Sequence, residues 1–171
     1  MAQRRFHYDQ AFEHYLRSKQ IAYVAVDEAR RALTGGGSGA PAGLKNFDFV
    51  VYSATGSNLL IDVKGRKHSG KTGRSMQNWV TADDVDSLRK WRDIFGDGFE
   101  AAFAFLFWCD AQPPDALFHE VFEFGDKWYA VLAVTLDDYA AHMRPRSVKW
   151  GTVSLPAKAF GEVSRPLMGM L

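Results

Sequence analysis

Residues 47–67 read FDFVVYSATGSNLLIDVKGRK. Two apolar segments, Phe47 to Tyr52 and Asn58 to Val63, flank a short Gly-Ser-Asn turn, which is the pattern of a β-hairpin. Asp48 falls in the first segment, and Asp62 and Lys64 in the second and at its end. Charges inside apolar strands are costly to bury unless something pairs with them. Asp62 and Lys64 are two apart, so on a strand they share a face. Two carboxylates and an ammonium gathered at the end of a hairpin match what a divalent cation and a phosphodiester need. Mg²⁺ takes carboxylate and water oxygens in preference to nitrogen or sulfur. In this reading Asp48 and Asp62 hold Mg²⁺, with Mn²⁺ as its substitute, and the backbone carbonyl of Val63 is a third ligand. Lys64 orients the attacking water, lowers its pKa or offsets charge on phosphorus. Asp-x-Lys alone is a cheap pattern; its setting inside apolar strands carries the reading. The bland alternative is a structural ion pair of Lys64 with Asp62 or Asp48 on a solvated face.

Outward from the hairpin, the chain alternates helices and strands. Tyr8, Phe12, Tyr15 and Leu16 recur at helical spacing and predict a helix over 8–19. Glu13 borders that stripe and can complete the metal site through a water or a second ion. Ile21 to Val26 reads as a buried strand. TGGGSGAPAG, residues 34–43, reads as a mobile surface loop. A helix is predicted over 81–95, with Thr81 as N-cap, Asp83 and Asp84 at its positive end and Gly96 after it. FEAAFAFLFWC, residues 99–109, is a continuous apolar run and predicts a central strand buried on both faces. A second hairpin turns at Gly125-Asp126, followed by a short helix over 136–143 and a less regular tail. The order predicts one mixed α/β domain spanning residues 1–171, a central sheet with helices on its faces.

Composition narrows the function classes. The 171 residues, 47% apolar and 14% aromatic, suit a packed core. No apolar run reaches membrane-spanning length, and the N-terminus lacks the apolar segment of a signal peptide. Cys109 is the single cysteine, read as a buried inert thiol, and a cytoplasmic location is the default. A net charge of +1 is not that of an avid nucleic-acid coater, yet Lys64, Arg66, Lys67, Lys71 and Arg74 follow one another without an acid. Such a loop can steer a phosphate backbone.

GRKHSGKT, residues 65–72, also fits the phosphate-cradling pattern G-x-x-x-x-G-K-[ST], which makes a nucleotide-binding protein a rival reading. Gly73, Arg74 and Ser75 separate it from any helix, and Arg66, Lys67 and His68 are bulky for a loop that closes on phosphate. His68 itself reads as a solvated loop residue. His7 and His14 read as surface or capping residues, and Trp79 as an anchor for the next helix. Arg144, Arg146, Lys149 and Trp150 form a second basic-aromatic cluster, and the terminal PLMGML reads as packed back on the domain or buried in a dimer.

A helix bearing Glu13, then Asp48, then Asp62-Val63-Lys64 on the following strand, then a helix and a hydrophobic strand, resembles the core of the PD-(D/E)XK nuclease superfamily. The likeness spans roughly residues 8–109 and is nearest in flavour to Holliday-junction resolvases, where an early helical glutamate recurs. Phe47 stands where the motif's proline would be. HYDQAFE, residues 7–13, is also similar to the motif of an uncharacterised bacterial family named for HYExAFE, with Asp9 replacing its glutamate. The resemblance implies a restriction-endonuclease-like fold and a Mg²⁺-dependent nuclease acting on DNA. It implies catalytic Glu13, Asp48, Asp62 and Lys64, backbone contacts by Arg66, Lys67, Lys71 and Arg74, and Gln77 reaching the site from the connection after the lysine strand. A catalytically inactive nucleic-acid-binding module of the same fold is the alternative. Cleavage of two strands by paired sites implies a homodimer.

Overall fold

The hairpin forms, and its second strand runs well past its apolar residues. The computed structural model describes residues 2–26, 43–68, 76–113, 118 and 120–171, with side chains from His7 onward. The glycine-rich stretch 34–42, Lys71 and Arg74 lie outside the described residues. Strand β1 is Tyr23–Ala25, β2 is Phe49–Val51 and β3 is Asn58–His68. β2 and β3 pair antiparallel, Phe49 opposite Ile61 and Val51 opposite Leu59. β3 continues to His68 because β5, Phe99–Cys109, lies parallel to it from Asn58 opposite Phe99 to His68 opposite Cys109. Gly65, Arg66, Lys67 and His68 are therefore ladder residues, which overturns the phosphate-loop reading of GRKHSGKT: its first half is committed to a paired strand.

Among the described residues the main sheet has six strands in the order β1-β2-β3-β5-β7-β6, where β6 is Val121–Phe124 and β7 is Lys127–Thr135. Only β3 and β5 in this sheet are parallel, so it is mixed. Strand alternation divides its core into two layers. Phe49, Val51, Leu59, Ile61, Val63, Ala102, Ala104 and Leu106 pack against Ala11, Phe12, Tyr15 and Leu16 of helix α1, Ala2–Ser18. Val50, Leu60, Phe103, Phe105 and Phe107 pack on the other face against α2, Ala82–Phe95. Leu136 and Tyr139 of α3, Leu136–His142, and Phe160 of α4, Ala157–Val163, share that layer. Ala101 to Phe107 is fully buried, as its unbroken apolar run implied.

α2 begins and ends where its sequence signals it. Thr81 caps Asp84 N–H and the Asp84 carboxylate returns to Thr81 N–H, a complete capping box. Gly96 closes the helix at φ +77°, its N–H donating to the Arg92 carbonyl at 2.9 Å. The tail is more ordered than its sequence implied. β8, Arg144–Ser147, and β9, Thr152–Ser154, form a hairpin, and β9 also pairs with β4, Val80–Thr81, making a small sheet in the order β4-β9-β8. Asn78 extends this seam, exchanging hydrogen bonds with the Leu155 backbone at 2.8 and 3.2 Å. The Tyr139 hydroxyl donates to the Asn78 carbonyl at 2.8 Å. The C-terminus packs back on the domain: Leu167 is buried, and Thr55 donates its hydroxyl to the Leu171 carbonyl at 2.8 Å. Among the described residues no helix is long and apolar enough to cross a membrane.

Candidate functional site

Asp62 and Lys64 project from β3 toward α2, on the face that also carries Leu60. Asp62 is 6% exposed, and the Lys64 ammonium lies 3.0 Å from its carboxylate. Asp48 immediately precedes Phe49, the first paired residue of β2, and its side chain takes the place of a backbone partner, accepting the Val63 N–H at 2.7 Å. A strand residue turns its N–H and C=O toward the same neighbour, so the Val63 carbonyl points to that side as well, past the end of β2. Asp48, Asp62, Val63 and Lys64 are thus brought together as the sequence implied.

The structure adds Asp84, which sequence reading assigned only to the helix end. Its carboxylate lies 3.1 Å from Lys64 and 3.1 Å from Lys45, while also closing the capping box. Lys45 further reaches the Thr81 hydroxyl at 3.0 Å and Asp83 at 3.3 Å. Lys64 is therefore held between two carboxylates in a chain of alternating charge, Asp62–Lys64–Asp84–Lys45. The signal that could have found Asp84 is topological. In a strand–helix–strand crossover between parallel strands, the helix runs back along the sheet, so its first turn starts near the C-terminal half of β3.

These two acids titrate in opposite directions. Burial pushes the Asp62 carboxyl up to about 7; the Lys64 ammonium works against this and the Asp48 charge adds to it. Burial also works against ionised Asp84, but Lys64, the Thr81 N–H and Lys45 together hold its carboxyl down at about 2. A carboxyl depressed in the folded state stabilises above its unfolded value, ordinarily 3.8, and that contribution is lost as pH falls toward 2. Asp84→Asn should therefore lower stability at pH 5–7 by about 1 kcal/mol, the scale of a lost cap, with the gap closing near pH 2. Thermal melts of both proteins across that range check this, and a gap that persists at pH 2 would rule out the charge as its source.

The remaining sequence-derived candidates sit elsewhere. Glu13 is on α1, which packs on the opposite sheet face from Asp62 and Lys64; its carboxylate accepts from the Tyr23 hydroxyl at 3.2 Å and lies 3.8 Å from Arg17. Arg66 turns inward, its guanidinium 4.1 Å from the Trp79 ring centre and bonded to the Gly65 and Trp79 carbonyls, so it is spent on holding β3 to the segment before α2. Lys67 stays outside, 3.2 Å from Asp110 and 4.9 Å from the Trp108 ring centre. His68 is buried edge-on between Phe107 and Phe118, because it is the last residue of β3 and not part of a solvated loop. Gln77 is exposed beside the small sheet.

Among the described residues no group of three or more acidic, histidine or cysteine side chains is arranged to hold a metal ion. The donor set nonetheless suits a hard divalent cation. Asp62 and Asp48 offer carboxylate oxygens, and the Asp48 charge hinders ionisation of Asp62; a cation between them would relieve that repulsion.

No family model matches the chain, and no curated protein does. Among solved structures it is similar to the Holliday junction resolvase Hjc of Archaeoglobus fulgidus, a hyperthermophilic archaeon. The two share 14% identity with a TM-score of 0.54, over 92% of this chain and 93% of that one. At that identity the likeness shows the fold, which is restriction-endonuclease-like, as the sequence resemblance implied.

Proposed function

We propose that this protein is a Mg²⁺-dependent nuclease hydrolysing phosphodiester bonds in DNA. The observation that supports it most is the Asp62–Lys64 pair on one buried face of a central strand, with Asp48 beside it. That it lies in a fold shared with a Holliday junction resolvase adds to this. Asp48, Asp62 and the Val63 carbonyl would hold the metal. A Mg²⁺ ion held there would supply positive charge for the scissile phosphate and acidify the attacking water. Asp48 keeps one oxygen on the Val63 N–H, which fixes its orientation. Lys64 stands next to the reacting centre and stabilises charge developing on phosphate. Asp84 holds Lys64 in place from α2. Exposed Lys67 and Gln77, with Lys71 and Arg74, are proposed backbone contacts, and paired cleavage of two strands would be the work of a homodimer.

The purified chain should cut a panel of duplex, flapped and four-way DNA in Mg²⁺ or Mn²⁺ and not in EDTA. Lys64→Gln should lose about 10²-fold or more of the rate while binding the same DNA in EDTA. One feature favours a second reading, a binding module without catalysis: Lys64 is engaged by two carboxylates at once. Under that reading DNA is bound and left uncut in both metals, and Lys64→Gln changes nothing that is measured.

A further inference from the structure

The β8–β9 hairpin presents a surface that the site described above leaves unused. Its strands and tip carry Arg144, Arg146 and Lys149 with no acid among residues 143–154. Among the described residues none of the three forms an ion pair. At the tip Val148 is 92% exposed and Trp150 is 71% exposed. The tip is shaped, not loose: Gly151 at φ +57° donates to the Val148 carbonyl at 3.2 Å, and the Trp150 N–H to the Ser147 hydroxyl at 3.4 Å. The Lys149 ammonium lies 5.4 Å from the Trp150 ring centre. An exposed indole beside Lys149, on a hairpin that also carries Arg144 and Arg146 without an acid, calls for a partner that offers both anionic groups and flat apolar faces.

The hairpin is tied to the candidate site from two directions. The Gly151 carbonyl accepts the N–H of Ala82, the first residue of α2, at 2.8 Å, and Asp84 lies two residues on. On the other side Arg146 lies 5.4 Å from the ring centre of Trp79, the same ring that Arg66 of β3 packs against. A cleft lined by Met76, Gln77, Trp79, Arg146, Ser154 and Leu155 opens along this connection.

From this placement we infer that the β8–β9 hairpin engages nucleic acid at a point where a base is unpaired. Arg144, Arg146 and Lys149 meet backbone phosphates, and Trp150 stacks on the exposed base. Phosphates alone would explain the cations but not the indole. Base–aromatic stacking needs a free π-face, which an intact duplex lacks along its length. The inference rests on the nuclease reading for its setting and names the substrate class: DNA in which duplex meets single strand, as in a tail, flap or branch.

The test is fluorescence anisotropy in EDTA, with a flush duplex and the same duplex bearing a single-stranded tail. Trp150→Ala should weaken binding of the tailed DNA about tenfold, the lower part of the range for one lost stacked base, and leave the flush duplex unchanged. Arg144→Gln/Lys149→Gln, which keeps Arg146 on Trp79, should weaken both DNAs and reduce the salt slope of log K by about 1.8, at 0.9 for each phosphate contact. Wild-type-like binding by both variants overturns the hairpin inference, including the case where the surface serves a protein partner. Equal loss by Trp150→Ala on both DNAs overturns the unpaired-base part. Cleavage in Mg²⁺, measured in parallel, separates this from the nuclease reading. Hairpin-dependent binding without cleavage removes that reading and leaves the inference standing. Cleavage with hairpin-independent binding does the reverse, and a wild-type chain that binds neither DNA removes both.

Discussion

Asp62→Asn should abolish cleavage and, at the same time, make the protein more stable. The rate should fall about 10³-fold or more, as expected when a group that acts on the transition state through a bound metal is removed. The gain in stability follows from the folded-state pKa. A carboxyl raised from 3.8 to about 7 by burial and by Asp48 favours the fold while it is protonated. That contribution is complete below pH 3.8 and is lost as pH rises through about 7. Above pH 7 the wild-type fold carries a buried charge that it tolerates poorly, and the neutral amide removes it. Lys64 is not stranded by the change, since Asp84 stays 3.1 Å away, so the usual penalty for breaking a buried pair is avoided. We expect a gain of roughly 1–3 kcal/mol at pH 8 in EDTA, or about 2–10 °C in Tm for a chain of this size, shrinking toward pH 4. A variant that cuts DNA normally would remove Asp62 from the site; one that melts lower at pH 8 would show that the charge is well accommodated.

Gly65→Val should damage the protein by a different route. Gly65 is next to Lys64 but on the opposite sheet face, and a Cβ built there would clash with the ring of Tyr8 on α1, coming within 2.5 Å of three of its atoms. The Tyr8 ring can lie against β3 here because this position has no side chain. Overpacking of this kind costs roughly 1–3 kcal/mol, with a fall in Tm of about 2–10 °C. In open space the same change in a strand would be neutral or favourable, because glycine loses the most freedom on folding. The control is Tyr8→Ala. If the clash is the cause, Tyr8→Ala in the Gly65→Val background should recover part of the loss, and the two effects should fail to add. An unchanged Tm for Gly65→Val would mean that the ring is free to leave.

The parts of this fold that were legible in the sequence are those whose residues carry their own reason for being there. The unbroken apolar run FEAAFAFLFWC signals a strand covered on both faces, as it is, and Thr81, Asp84 and Gly96 mark the ends of α2 by capping chemistry. What was not legible depends on a neighbour far along the chain. β3 continues through Gly65, Arg66, Lys67 and His68 because β5 pairs with it there; taken alone those residues look like a loop. Arg66 and His68 turn inward for the same reason. Glu13 illustrates a second limit. The periodicity of α1 reveals which side of the helix is buried, but not which side of the sheet it covers. β4, β8 and β9 have two to four residues each, too short for alternation to show. Asp48, Asp62 and Lys64 were legible because charge in an apolar strand is conspicuous, whereas Asp84 was concealed by having a sufficient local job as a cap.

The two-sidedness of β3 has a consequence at the level of the gene. One face of the strand holds Asp62 and Lys64, and the other holds Ile61, Val63 and the bare backbone of Gly65 under Tyr8. A single codon inserted between positions 58 and 61 would exchange the two sets, sending the carboxylate and ammonium into the aliphatic layer beneath α1. The same insertion in the turn at 53–57 would lengthen a solvent-exposed connection and leave both faces as they are. Tolerance to insertion should therefore change from high to nil within a few codons, and a library of single-codon insertions across 50–70 would map that boundary directly.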